Sequence, residues 1–246
     1  MQNLKEDDSM VRVKQRIFSG AVCEQMVYTM KGSTARIPRA RVRFKTEEER
    51  RIHREKMSRL HHARLVNENF DERSLYGTFT MDNEHEVHTF GEARRVRDNF
   101  VRSLRRECPE ARIIIYMGRG KSTDRIHFHM LSAGVSEEVI RAKWTSGTVI
   151  RLKRMRKRNF YEGVDHGRDY TGLANYLFDH WTPEQGERTH RWKATKNLRQ
   201  PQRERPALAL RSYSVEKPPR APKGYTLVES QRTEFGYLYF KYVMRC

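Results

Sequence analysis

The chain is short of cysteine, of acidic residues and of long apolar runs, and each shortage removes a class of protein. Its three cysteines, Cys23, Cys108 and Cys246, lie far apart with no C-x-x-C spacing. That excludes a cysteine-rich zinc site and a disulfide framework, and suits a reducing compartment. No stretch approaches the roughly 18 consecutive apolar residues of a membrane-spanning helix. The opening MQNLKEDDSM has no apolar core of a signal peptide, so the expected location is the cytoplasm, away from any membrane. No G-x-x-x-x-G-K-[ST] run occurs, so an unwinding motor would have to come from elsewhere. There is no internal repeat.

Acidic residues number 31 against 50 Lys and Arg, which gives 246 residues a formal net charge of +19. An excess of that size points to a polyanionic partner, nucleic acid before others. With 37% hydrophobic and 10% aromatic residues the chain has the means to build a core.

Pattern along the chain predicts short strands at Val11–Ser19, Ala21–Met30 and Ala40–Lys45. A basic helix follows from Thr46 to about Asn69, opened by a Thr46/Glu49 capping box. It reads either as a solvated linker or as a helix lying on a DNA backbone. From Ser74 the order is strand (Leu75–Met81), helix (opened by Thr89/Glu92) and strand (Arg112–Tyr116). A Gly118–Gly120 turn, a strand (Arg125–Leu131), a helix (Ser136–Trp144) and a strand (Gly147–Arg154) complete it. This order implies an α+β fold, with helices packed on an antiparallel sheet. Residues 1–70 read as an accessory piece, 71–201 as the catalytic domain, and 202–246 as a Pro/Arg-rich arm ending in a strand, Gly236–Val243, that pairs back on a sheet, with the N-terminal strands as candidate partners.

Two segments carry chemistry. In Ile126-His127-Phe128-His129-Met130, strand alternation sends Ile126, Phe128 and Met130 to the core and sets His127 and His129 side by side on the other face. Two imidazoles so placed converge on one cation, or else each has its own structural partner. Without cysteine nearby, the oxygen- and nitrogen-rich site would suit Mn²⁺ or Mg²⁺ as a Lewis acid. The second segment is a helix over Asp169–Trp181. Leu173, Ala174, Leu177, Phe178 and Trp181 form its apolar arc, with Tyr176 and His180 at one rim and Asp179 further toward solvent. Tyr176 is either a packing residue or a nucleophile.

Basic residues Arg119, Lys121 and Arg125 flank the turn before the histidines. Lys153, Arg154, Arg156, Lys157 and Arg158 form a basic run that reads either as a solvated hairpin tip or as a phosphate grip.

On these residues the chain resembles the HUH-type endonucleases, and most closely the small prokaryotic initiators of rolling-circle replication. The matching elements, in order, are Tyr76-Gly77-Thr78-Phe79-Thr80-Met81, then His127-Phe128-His129, then Tyr176 within Leu173-Ala174-Asn175-Tyr176-Leu177. Trp192-Lys193-Ala194-Thr195-Lys196-Asn197-Leu198 with Pro201 extends the likeness to about residue 201. The resemblance implies a five-stranded antiparallel sheet, His127 and His129 as metal ligands, and Tyr176 as nucleophile. The substrate it implies is single-stranded or hairpin origin DNA, with a host helicase and polymerase as partners. Many relatives carry a lysine three residues after the tyrosine, where this chain has Asp179. The third ligand has no fixed signature: His180 is favoured by the helical wheel, with Asp179 or another residue as alternatives. A transposase or relaxase of the same chemistry remains a rival. So does a non-catalytic RRM-like binder, though no run of alternating aromatics with glycine supports it.

Overall fold

The computed structural model describes residues 10–31, 46–120, 125–179, 192–233 and 236–245. The expected strand at Ala40–Lys45 lies outside them, as do Lys121 and His180. The elements begin with β1 (Met10–Ser19), β2 (Val22–Lys31), α1 (Glu47–Asn69), β3 (Leu75–Thr80), α2 (Phe90–Glu107), β4 (Arg112–Arg119), β5 (Ile126–Ala133), α3 (Glu137–Lys143) and β6 (Val149–Arg154). They continue with β7 (Phe160–Tyr161), β8 (Val164–Asp165), α4 (Thr171–Asp179), β9 (Trp192–Ala194), β10 (Gln202–Arg203), β11 (Ala207–Leu208), β12 (Tyr225–Arg232) and β13 (Leu238–Met244). The fold is α+β, and its strands pair antiparallel throughout the described residues. Among them no helix is long and apolar enough to cross a membrane.

The chain divides into two compact units. One takes Met1–Ser58, Arg158–Asp169 and Pro201–Cys246, and the other Arg59–Lys157 and Tyr170–Gln200. These replace the contiguous boundaries expected at residues 70 and 201, because the two ends of the chain build one sheet. In the first unit the strand order is β10-β1-β2-β13-β12, with β11 also pairing β1. Residues 200–223, expected as a free arm, instead add two short strands to the edge of β1. They also pack Ala209, Tyr213, Val215 and Ala221 over Cys23, Val27, Phe240 and Tyr242.

The second unit holds a five-stranded sheet of order β6-β3-β5-β4-β9. Alternation divides its side chains cleanly. Phe79, Ile113, Ile115, Met117, Ile126, Phe128 and Met130 meet Phe100, Val101 and Leu104 of α2, with Ile140 of α3. Helix α2 starts at the expected capping box: Thr89 Oγ1 accepts from the Glu92 N–H, and the Glu92 carboxylate accepts from Thr89. The rings of Phe79, Phe100 and Phe128 all lie within 5.1–5.7 Å of Trp144 or of each other. Such aromatic pairs add about 1 kcal/mol each beyond area burial. Gly77 is needed beneath them, since a Cβ there would stand 2.7 Å from Phe79 Cε2 and 2.8 Å from Leu152 Cδ2.

The opposite face carries Ile114, Tyr116 and Leu131 under Ala63 and Val66 of α1 and under Ala174 and Leu177 of α4. The Thr46/Glu49 capping box of α1 forms as expected. Its C-terminal half, however, is neither a solvated linker nor exposed to a ligand: His62 through Asn67 are buried. One other local reading shifts: strand β4 runs on through Gly118 to Arg119, whereas β6 ends at Arg154 as read.

Candidate metal and nucleophile site

The site is laid out by register. Arg151 lies opposite Thr78, Thr78 opposite His129, and His129 opposite Tyr116. One row along, Lys153 lies opposite Tyr76 and Tyr76 opposite Leu131; on the other side, Thr80 lies opposite His127. Directly opposed residues of an antiparallel sheet share a face. His127, His129, Tyr76, Thr78, Arg151 and Lys153 therefore all belong to the face on which α4 packs, while Ile126, Phe128 and Met130 fill the other core, as the alternation predicts.

The two imidazoles stand with ring centroids 5.0 Å apart and planes at 87°. His129 is buried and His127 half-buried. The Nδ1 of His129 is 2.8 Å from the Tyr76 hydroxyl and 3.2 Å from Thr78 Oγ1, with the Tyr76 ring stacked alongside at 5.8 Å. The Nδ1 of His127 lies 3.4 Å from the Arg125 carbonyl oxygen. A carbonyl only accepts, so this bond places the ring hydrogen on Nδ1 and the lone pair on Nε2. Hydroxyls at Nδ1 of His129 allow the same tautomer. Imidazoles tied through Nδ1 to oxygen, with Nε2 directed onward, are the arrangement that metal-ligating histidines adopt. Burial pushes the His127 pKa below the ordinary imidazole range, with the Arg125 carbonyl partly offsetting it. The ring is thus neutral, as a ligand must be.

Tyr176 sits on α4 at the rim of the buried face formed by Ala174, Leu177 and Phe178. Its ring centroid is 6.3 Å from that of His129, edge-on, and the side chain is 52% exposed. Tyr170 has a different environment: it is 2% exposed, and its hydroxyl donates to the Arg156 carbonyl at 2.8 Å. Tyr76 is half-buried, and burial raises its pKa; the Thr78 hydrogen bond opposes the shift and the nearby Tyr176 adds to it. It holds its proton and serves as a hydrogen-bonding post for His129.

Two imidazoles fit a divalent cation, and the residues described supply no more than that. No group of three or more His, Cys, Asp or Glu among them is placed to hold a metal. Asp179 is engaged by Arg59, whose Nη1 donates to Oδ2 at 2.6 Å and whose Nη2 donates to Oδ1. That pairing offsets the negative charge of Asp179.

The basic residues separate by environment. The Arg119 guanidinium lies 5.1 Å over the Phe90 ring and donates to the His88 carbonyl, and Arg125 is held by Glu86 and Asn83. Arg154 donates to the Arg73 carbonyl, and Arg158 and Asp165, both in the first unit, pair with each other. Lys153, Arg156 and Lys157 are exposed. Arg151, absent from the residues singled out in the sequence, is exposed on the histidine face in the same row as His129. Its signal is the alternation Ile150-Arg151-Leu152-Lys153, but only pairing with β3 tells which face the cations occupy. No protein-family model, curated protein or solved structure matches the chain.

Proposed function

We propose that the protein nicks single-stranded DNA by attack of the Tyr176 hydroxyl on a phosphodiester, in a site completed by a divalent cation on His127 and His129. The observation that carries this reading is the exposed phenol of Tyr176 standing edge-on to His129, on the face to which both imidazoles point. Bound there, Mn²⁺ or Mg²⁺ would act as a Lewis acid on a phosphate oxygen. Tyr76 and Thr78 orient His129, and Arg151 with Lys153 draws the strand's phosphates onto this face. The Tyr176 oxygen forms the new bond to phosphorus and the bond to the 3′ oxygen breaks. The phenolic proton is balanced by the one taken up at that oxygen, giving a 5′-phosphotyrosine and a free 3′-hydroxyl. The link keeps the phosphodiester's energy, so another 3′ end can reseal it. This is the chemistry with which rolling-circle replication of a plasmid or phage begins, from a single-stranded or hairpin origin.

The test is incubation with end-labelled single-stranded DNA and Mn²⁺, followed by denaturing electrophoresis. A protein-linked band is expected, lost in Tyr176→Phe and in the His127→Ala/His129→Ala pair, while both variants keep salt-sensitive binding. Binding without cleavage by the native protein would favour the non-catalytic reading.

A further inference from the structure

A second basic feature lies on the other face of the five-stranded sheet, in a groove of about 410 Å³ between α2 and β9. Its walls are Asp98, Val101, Arg102, Arg105 and Arg106 on the helix side and Lys193, Ala194, Thr195 and Lys196 on the strand side. Register fixes the face: Lys193 lies opposite Ile115, which belongs to the α2 core, whereas Trp192 lies opposite Tyr116 on the histidine face.

The groove is preformed on both sides. Lys193 Nζ donates to Asp98 at 2.8 Å and ties strand to helix. Thr195 accepts the Ile113 N–H through Oγ1 and donates its own N–H to the Ile113 carbonyl. Asn197 donates to the Glu110 and Ala111 carbonyls, which pins the turn after β9.

The charge of the groove is unbalanced. Asp98 is its one carboxylate, and Arg97 and Lys193 already occupy it. Burial works against ionising that carboxyl, yet those two hydrogen bonds outweigh it and hold its pKa below the usual range. No carboxylate among the described residues pairs with Arg102, Arg105, Arg106 or Lys196. Arg102 donates to Asn99 and Arg105 to the Pro109 carbonyl, both neutral groups. Arg102, Arg105 and Arg106 are spaced i, i+3, i+4, so their stems leave one helix face about a turn apart. Unopposed cations at that interval, facing another lysine across a narrow groove, match a chain of regularly spaced anions. The lining offers no aromatic side chain on which a base could stack.

We infer that this groove grips the sugar–phosphate backbone of a nucleic-acid strand, independently of sequence, as a binding site separate from the histidine face. The inference needs a nucleic-acid partner but not the cleavage chemistry. The decisive experiment measures binding of a labelled single strand of about 30 nucleotides by fluorescence anisotropy, from about 50 to 200 mM salt. It compares the full chain carrying Tyr176→Phe with the same chain carrying also Arg102→Gln, Arg106→Gln and Lys196→Gln. Those three side chains are exposed, so the fold is left alone; Arg105 is spared because it also braces the turn at Pro109. Each single-strand phosphate contact contributes about 0.7 to the slope of log K against log salt. The triple change is expected to flatten that slope by about 2 and to weaken binding roughly tenfold or more. An unchanged slope and affinity would overturn the inference. Failure of Tyr176 to form an adduct would leave this result untouched.

Discussion

Three tyrosines meet or adjoin the candidate site, and their surroundings assign them different work. Tyr170 is sealed in the core with its hydroxyl spent on a carbonyl, Tyr76 is half-buried with its hydroxyl on His129, and Tyr176 alone of the three is more than half exposed. A nucleophile must reach substrate, which favours Tyr176 for the proposed role. Tyr76 acts through the imidazole it holds. Partners of this kind typically change metal affinity by about 10–100-fold when removed. In Tyr76→Phe the Mn²⁺ concentration needed for half-maximal nicking should rise about tenfold or more, with the salt dependence of DNA binding unchanged. A metal requirement identical to the native one would remove Tyr76 from this role. The positions of the residues given this role in the proposal were legible where they repeat a local pattern. His127 and His129 reveal their shared face by alternation within β5, and Tyr176 its rim position by the wheel of α4. Tyr76 and Arg151 were not legible as site residues, since they join the histidines only through the pairing of β3 with β5 and β6.

Among the elements, α1 departs furthest from its sequence reading, and the reason is chemical. Its buried side is made largely of groups that count as polar. His62 is fully buried, 2.7 Å through Nε2 from the Tyr116 hydroxyl and packed on the rings of Phe178 and Trp192. Asn67 accepts the Tyr170 N–H through Oδ1, and Asn69 donates to the Leu65 and Arg199 carbonyls. Hydrogen bonds hold these side chains inside, His62 through Nε2, and a pattern of hydropathy sees only a basic helix. The segment 200–223 escaped for another reason: strands two residues long gain their order from β1, which no local propensity encodes. By contrast α2 carries its cap, its apolar stripe and its stop within its own sequence, and it forms as read.

His62 also ties α1 to pH. Burial, joined by the charges of His61 and Arg59, lowers its pKa from 6.5 to about 3. Between those values the unfolded chain binds a proton that the folded one refuses, so stability is full above the unfolded pKa and falls as pH drops toward the folded one. The slope contributed approaches about 1.4 kcal/mol per pH unit. Urea unfolding from pH 7 to 4 should show the native protein losing stability faster than His62→Gln by that margin. Parallel curves would mean that His62 is protonated or exposed in the fold.

At the scale of the molecule, a charge of +19 is the feature on which the proposed nucleic-acid partner rests. Within the second unit, the candidate site and the basic groove lie on opposite faces of one sheet, so the two proposals predict that binding and chemistry can be removed independently. The α+β class with an antiparallel sheet was legible from element order, and the return of the C-terminal strand to a sheet from its own aromatic pattern, whereas its register was not. It depends on pairing between β2 and β13, more than 200 residues apart. The account stands on the covalent link. The most direct measurement is the intact mass of the protein after incubation with a short single-stranded oligonucleotide and Mn²⁺, followed by peptide mapping of the adduct. It is expected to show the protein plus one 5′-phosphorylated fragment, with the added mass on the peptide bearing Tyr176. A strand cleaved with no mass added to the protein, or a fragment carried by Tyr170 or Tyr76 instead, would contradict it.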